Sequence, residues 1–158
     1  MIVDLHNHTI LCHHAKGSME EYVQKAIEKK IDIFGFSDHA PMNFDTYRMG
    51  FEEMPFYEQE VLKLKEKYAN DIRILLAYEV DFLQGYIDPR VLERNVDYLI
   101  GSVHYLGKWG FDNPEYIGEY QHRDLDIIWQ DYFDAIEAMA KCGLFDIVGH
   151  IDLMKIFN

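Results

Sequence analysis

The chain has little cysteine, little positive charge and no long apolar run, and each lack removes a class of protein. Cys12 and Cys142 are its two cysteines in 158 residues, too few for a disulfide framework. No apolar stretch approaches the ~20 residues that span a bilayer. His6 and His8 interrupt the apolar N-terminus before a signal-peptide core can build up. The expectation is a reduced, cytoplasmic protein. Fifteen lysines and arginines stand against 28 aspartates and glutamates, a net charge of −13. A surface that tracks nucleic acid needs the opposite sign. The carboxylate excess suits either a solvated acidic surface or a site that gathers metal cations. Also missing are a glycine-rich phosphate loop, a Gly-x-Ser-x-Gly elbow and a dinucleotide fingerprint.

What is present reads as a globular α/β chain. Apolar residues make up 49% and charged residues 27%, which separates it from disordered sequences. Its length suits one domain that buries roughly two thirds of its unfolded surface. Ile2–Leu5 reads as a strand. Ser18 and Glu21 have the spacing of a capping box, and Met19, Tyr22, Val23, Ala26 and Ile27 form the stripe of the helix that follows. Ile31–Phe36, Ile72–Ala77, Tyr98–Val103 and Leu144–Val148 read as buried strands. Helices are expected over about 55–68, just after Asp88-Pro89, and over Leu125–Lys141 with Gly143 as C-cap. The stretch Tyr105–His122 reads as a long polar and aromatic loop. Alternating strands and helices predict a parallel sheet with covering helices.

The chemistry lies at the strand ends. His6 and His8 are two apart, so in an extended segment both imidazoles face one side. A lone His-x-His is weak, but each of the five expected strands ends in a metal-capable residue: His6 and His8, His39, Glu79, His104 and His150. Any one of these could be a satisfied polar group; the set is better explained as a site on the C-terminal face of the sheet. Imidazoles with a carboxylate suit zinc, iron or manganese and not the oxygen cage of calcium. Glu79 has two oxygens and could bridge two ions, which permits hydrolysis without a protein nucleophile. Cys12 reads as a small buried hydrophobe or a ligating thiolate. Trp109 and Phe111 read as a pocket wall or as local packing, and His122 and Arg123 as an anion contact or a solvated helix start.

Several segments carry a resemblance: Asp4-Leu5-His6-Asn7-His8-Thr9, Cys12-His13-His14-Ala15, Gly35-Phe36-Ser37-Asp38-His39-Ala40-Pro41, Glu79-Val80-Asp81-Phe82, Ile100-Gly101-Ser102-Val103-His104 and Gly149-His150-Ile151-Asp152-Leu153. Taken in order, they resemble the polymerase and histidinol phosphatase (PHP) superfamily. Gly107-Lys108-Trp109-Gly110-Phe111-Asp112 resembles its histidinol-phosphate phosphatase branch. The resemblance covers essentially the whole chain. It implies a distorted (β/α)7 TIM-like barrel, of which residues 1–158 would supply about the first five strand/helix units as a single, C-terminally incomplete domain. Up to three divalent ions (Zn, Mn or Fe) would sit at the strand ends. His6 and His8 would hold the first, with Glu79 bridging to a second completed by His104 and His150. His14 and His39 would hold the third, His14 being preferred to His13 because the family spacing is six residues after His8. Glu79, His39 and His104 would also carry catalytic roles.

The implied activity is hydrolysis of L-histidinol phosphate to L-histidinol and inorganic phosphate, a step of histidine biosynthesis. A broader phosphoesterase acting on nucleotides or DNA ends, and a non-catalytic metal-binding or assembly module, are the alternatives. Family members continue well past the equivalent of His150, so the expected partners include a C-terminal segment or a second copy completing the barrel, with no membrane and no nucleic acid.

Overall fold

A computed structural model describes residues 1–45, 47–83 and 86–157. The expected alternation is present. The parallel strands are β1 (Val3–Asn7), β2 (Ile33–His39), β3 (Arg73–Asp81), β4 (Tyr98–Ser102) and β7 (Ile147–Val148); α1 (Met19–Glu28), α2 (Met54–Lys67), α3 (Pro89–Leu92) and α4 (Leu125–Cys142) are the helices. Two short strands, β5 (Tyr105–Leu106) and β6 (Trp109–Gly110), pair antiparallel as a hairpin. The sheet order is β1-β2-β3-β4-β7. Among the described residues no helix is long and apolar enough to cross a membrane.

The chain forms two compact units, Met1–Glu79 with Asp88–Leu99, and Val80–Ile87 with Ile100–Asn158. In the first unit, β2 lies beside β1 on one side and β3 on the other, in register from Ile33↔Arg73 to His39↔Glu79. The capping box predicted for α1 forms: Glu21 N–H donates to Ser18 Oγ, and the Glu21 carboxylate accepts from the Ser18 N–H at 2.6 Å. Such a cap is worth about 1 kcal/mol. The helix buries Val23 and Ala26, and α2 buries Tyr57, Val61 and Leu64. Tyr57 does more than fill space. Its hydroxyl accepts from the Asp38 N–H at 3.2 Å and donates to the Ala77 carbonyl at 2.8 Å, fastening the carboxyl halves of β2 and β3.

The second unit packs α4 through Ile128, Tyr132, Ile136 and Met139 onto Phe82, Val103, Trp109, Phe111 and Met154. Asp124 caps α4, and Gly143 ends it with φ 71°, the left-handed value that favours glycine.

Three expectations shift in detail. β3 runs on to Asp81 and β2 to His39, so Glu79 and His39 lie inside ladders rather than beyond them. The loop expected at 105–122 is instead the β5–β6 hairpin, turning at Gly107 with φ 65°, followed by a 3-10 helix over Pro114–His122. The last strand is only two residues long.

Candidate metal centre

In the first unit, β1 carries His6, and His8 follows directly after its end. Asp38 ties this segment to β2, its carboxylate accepting from the Thr9 N–H at 3.0 Å and from the Thr9 hydroxyl. Thr9 then caps a 3-10 turn over Ile10–Cys12, and the buried Cys12 thiol donates to the Thr9 carbonyl at 2.9 Å. His13 takes a left-handed backbone, φ 63°. That bend turns the chain so that the His14 ring lies 5.5 Å from the His8 ring and 5.4 Å from that of His39.

Glu79 stands opposite His39 in the β2–β3 register and is fully buried. Its Oε2 lies 3.1 Å from His6 Nε2, 3.3 Å from His8 Nε2 and 3.1 Å from His39 Nδ1. A buried carboxylate is costly without positive charge beside it. Imidazoles meet that need by taking a proton or by holding a cation with their lone pairs. Burial opposes protonation of His8, but its contacts with Asp38, Cys12 and Glu79 outweigh burial and push its pKa up to about 11. His14 moves the other way, lowered by burial and then by the charge on His8, so its ring keeps a lone pair. Ligand atoms of His8, His39 and Glu79 lie within 4.8 Å of one another, as do those of His8, Cys12 and His14. This nitrogen-rich set with one carboxylate fits a divalent transition metal.

The second unit brings Asp81, His104 and His150 together. Asp81 ends β3, and His104 and His150 each follow a strand by two residues. Gly149 makes the approach of His150 possible: a Cβ there would come within 2.2 Å of Ser102 Oγ. The Tyr132 hydroxyl donates to the His150 carbonyl at 2.8 Å, holding this segment to α4. His104 Nδ1 lies 2.9 Å from Asp81 Oδ1, and its Nε2 lies 3.2 Å from His150 Nε2. Two nitrogens at about 2.05 Å from one tetrahedral ion sit about 3.3 Å apart, so this pair also fits a metal. Asp112 is near: burial raises its pKa, while the charges of His104 and His150 pull it down.

The remaining sequence candidates take other places. Phe111 is buried against Tyr132, its ring 5.4 Å away, which is the packing reading. Trp109 is buried beneath the Arg123 guanidinium, 4.3 Å from its ring, and both line a cavity of about 640 Å³ with Tyr105 and Asp131. His122 is exposed. Asp38, Asp81 and Asp112 received no role from the sequence. One signal was available for Asp81, which stands two residues after Glu79 on the same strand and so shares its face.

Known proteins add to this geometry. A probable histidinol-phosphatase of Deinococcus radiodurans is 41% identical over 163 residues, covering 99% of this chain and 63% of the relative. The chain therefore spans under two thirds of that protein's length. A crystal structure from Listeria monocytogenes, described as a histidinol phosphatase candidate, superposes with a TM-score of 0.82 at 26% identity, covering 96% of this chain and 67% of that one. The histidinol phosphate phosphatase of Lactococcus lactis, solved with zinc, L-histidinol and phosphate, also gives a TM-score of 0.82. At 19% identity, covering 96% of this chain and 58% of that one, it speaks for the fold alone. The PHP domain family matches residues 4–158, and on that match, with histidines and carboxylates gathered at the strand ends, this chain belongs to the PHP-domain family.

Proposed function

We propose that this chain carries metal-binding residues of a phosphomonoesterase that hydrolyses L-histidinol phosphate to L-histidinol and inorganic phosphate. The observation that carries this reading is Glu79 Oε2, buried and faced by nitrogens of His6, His8 and His39 at 3.1–3.3 Å. The name of the Deinococcus radiodurans relative supports the choice of substrate. His6, His8, His14, His39 and Glu79 are the proposed ligands in the first unit, and His104 and His150 those in the second. Zinc, manganese and iron(II) all suit these donors.

Bound divalent ions supply Lewis acidity, which activates water and offsets charge on phosphoryl oxygens. The chain's own residues supply order. The β2–β3 ladder fixes His39 against Glu79, and Asp38 fixes Thr9 and so the segment that follows His8. The net charge of −13 favours a small phosphorylated substrate over a polynucleotide.

The test is hydrolysis of L-histidinol phosphate with metal content measured on the same sample, with zinc, manganese or iron(II) added in turn. E79Q keeps the shape of the side chain and removes its charge. It is expected to lose bound metal and at least 100-fold in turnover, the scale on which loss of a preorganised electrostatic group is felt. E79Q with undiminished metal and turnover would overturn the assignment.

A further inference from the structure

We propose that Asp81 is a positioning residue for metal binding: it holds His104 as the Nδ1–H tautomer and directs its Nε2 toward that of His150. The proposal rests on the reading that His104 and His150 are metal ligands. Asp81 and His104 are 5% and 7% exposed, and Asp81 Oδ1 lies 2.9 Å from His104 Nδ1, an ordinary N–H···O length. A carboxylate oxygen accepts, so this contact is made when Nδ1 carries the ring proton. In the neutral ring the lone pair then belongs to Nε2, the atom 3.2 Å from His150 Nε2. Two lone pairs at that distance repel unless a proton or a cation lies between them, and the spacing is that of two donors on one tetrahedral ion. Carboxylates that orient metal-binding imidazoles in this way govern both tautomer and basicity.

The backbone on either side is held independently of Asp81. The Phe111 N–H donates to the His104 carbonyl at 3.2 Å, and Val103 beside it is fully buried. His150 is fixed through its carbonyl by Tyr132. At this ring, Asp81 acts on the rotation and on which nitrogen carries the proton. Asp38 does not have the same standing toward His8. Its carboxylate already accepts from Thr9 and from the His39 N–H, and its Oδ1 is 3.5 Å from His8 Nδ1, a looser contact than the 2.9 Å between Asp81 and His104.

The experiment uses the whole chain and zinc. Zinc affinity is measured by chelator competition for wild type, D81A and H104A, and histidine tautomers are read from 15N shifts of the metal-free wild-type and D81A chains at pH 8. H104A is expected to lose one zinc equivalent. D81A is expected to weaken that same equivalent 10- to 100-fold and to abolish the Nδ1–H signature of His104. A structural role alone would move neither the tautomer nor a single zinc equivalent. If H104A loses zinc while D81A binds as wild type, the Asp81 proposal is overturned and the metal reading stands. If H104A keeps all its zinc, the metal reading of this pair falls and the proposal with it. The wild-type spectrum decides independently of how D81A folds, because a His104 protonated at Nε2 and bare at Nδ1 overturns the proposal outright.

Discussion

His8 shows how a proposed metal ligand can stabilise the chain before metal arrives. Its pKa in the metal-free fold is pushed up to about 11 from an ordinary 6.5, with burial opposing and Asp38, Cys12 and Glu79 prevailing. A pKa raised on folding contributes stability that is fully present below about 6.5 and lost as pH rises toward 11. The metal-free chain is therefore expected to lose unfolding free energy steadily between pH 7 and pH 10, measured by urea denaturation, and H8A is expected to flatten that slope. An equal slope in H8A would show that the protonated imidazole does not carry the effect. Metal reverses the sign, because the ligand form of histidine has shed its proton, so zinc affinity is expected to rise over the same range. Of the histidines proposed as ligands, His6, His8, His39, His104 and His150 were legible in the sequence because they recur at successive strand ends, whereas His14 came from the family spacing. Asp38, Asp81 and Asp112 were not. Their roles depend on which ring they face, and a carboxylate in a polar stretch looks the same whether it is solvated or turned inward.

Among the elements, the sequence foretold α1 and its cap, the body of α4 and the succession of strands and helices along the chain, all of which follow from local spacing and capping chemistry. It stopped β3 at Ala77 because Glu79 and Asp81 break the apolar run; in the structure both are buried, at 0% and 5% exposure, where a purely structural strand would carry valine or isoleucine. It read no hairpin at 105–110 because two-residue strands have no period to detect. The close fit of β7 to β4 makes Gly149 a sensitive point. Its N–H donates to the Gly101 carbonyl at 2.8 Å, and an added Cβ would come within 2.2 Å of Ser102 Oγ and 3.3 Å of the Gly101 oxygen. The hydroxyl can rotate away but the carbonyl cannot, so G149A is expected to cost about 1–3 kcal/mol, the usual range for overpacking. Because His150 follows directly, G149A should also weaken zinc binding. Thermal denaturation of the metal-free chain and chelator competition measure the two effects separately. A variant as stable as wild type would mean that the strand relaxes around the methyl group.

At the scale of the whole molecule, both compact units hold a cluster suited to metal, so metal supply should be felt as overall stability and not only as activity. A ligand that binds the folded state alone stabilises it by RT ln(1 + [L]/Kd), about 2.7 kcal/mol at a hundredfold excess over Kd. The metal-loaded chain is expected to melt several degrees above the same chain stripped with EDTA, since 1 kcal/mol moves the midpoint by roughly 2–4 °C in this size range. The increment should be restored by zinc and not by calcium, because the donors are mainly imidazole nitrogens. Removing a ligand from either cluster tests the source: E79Q and H104A should each reduce the zinc-dependent rise while leaving a folded chain in EDTA. A melting temperature indifferent to zinc and EDTA would mean that neither cluster binds metal tightly, and the catalytic reading would lose its physical basis. A rise that survives both substitutions would place the stabilising ion elsewhere, with the carboxylate-rich surface as the next place to search.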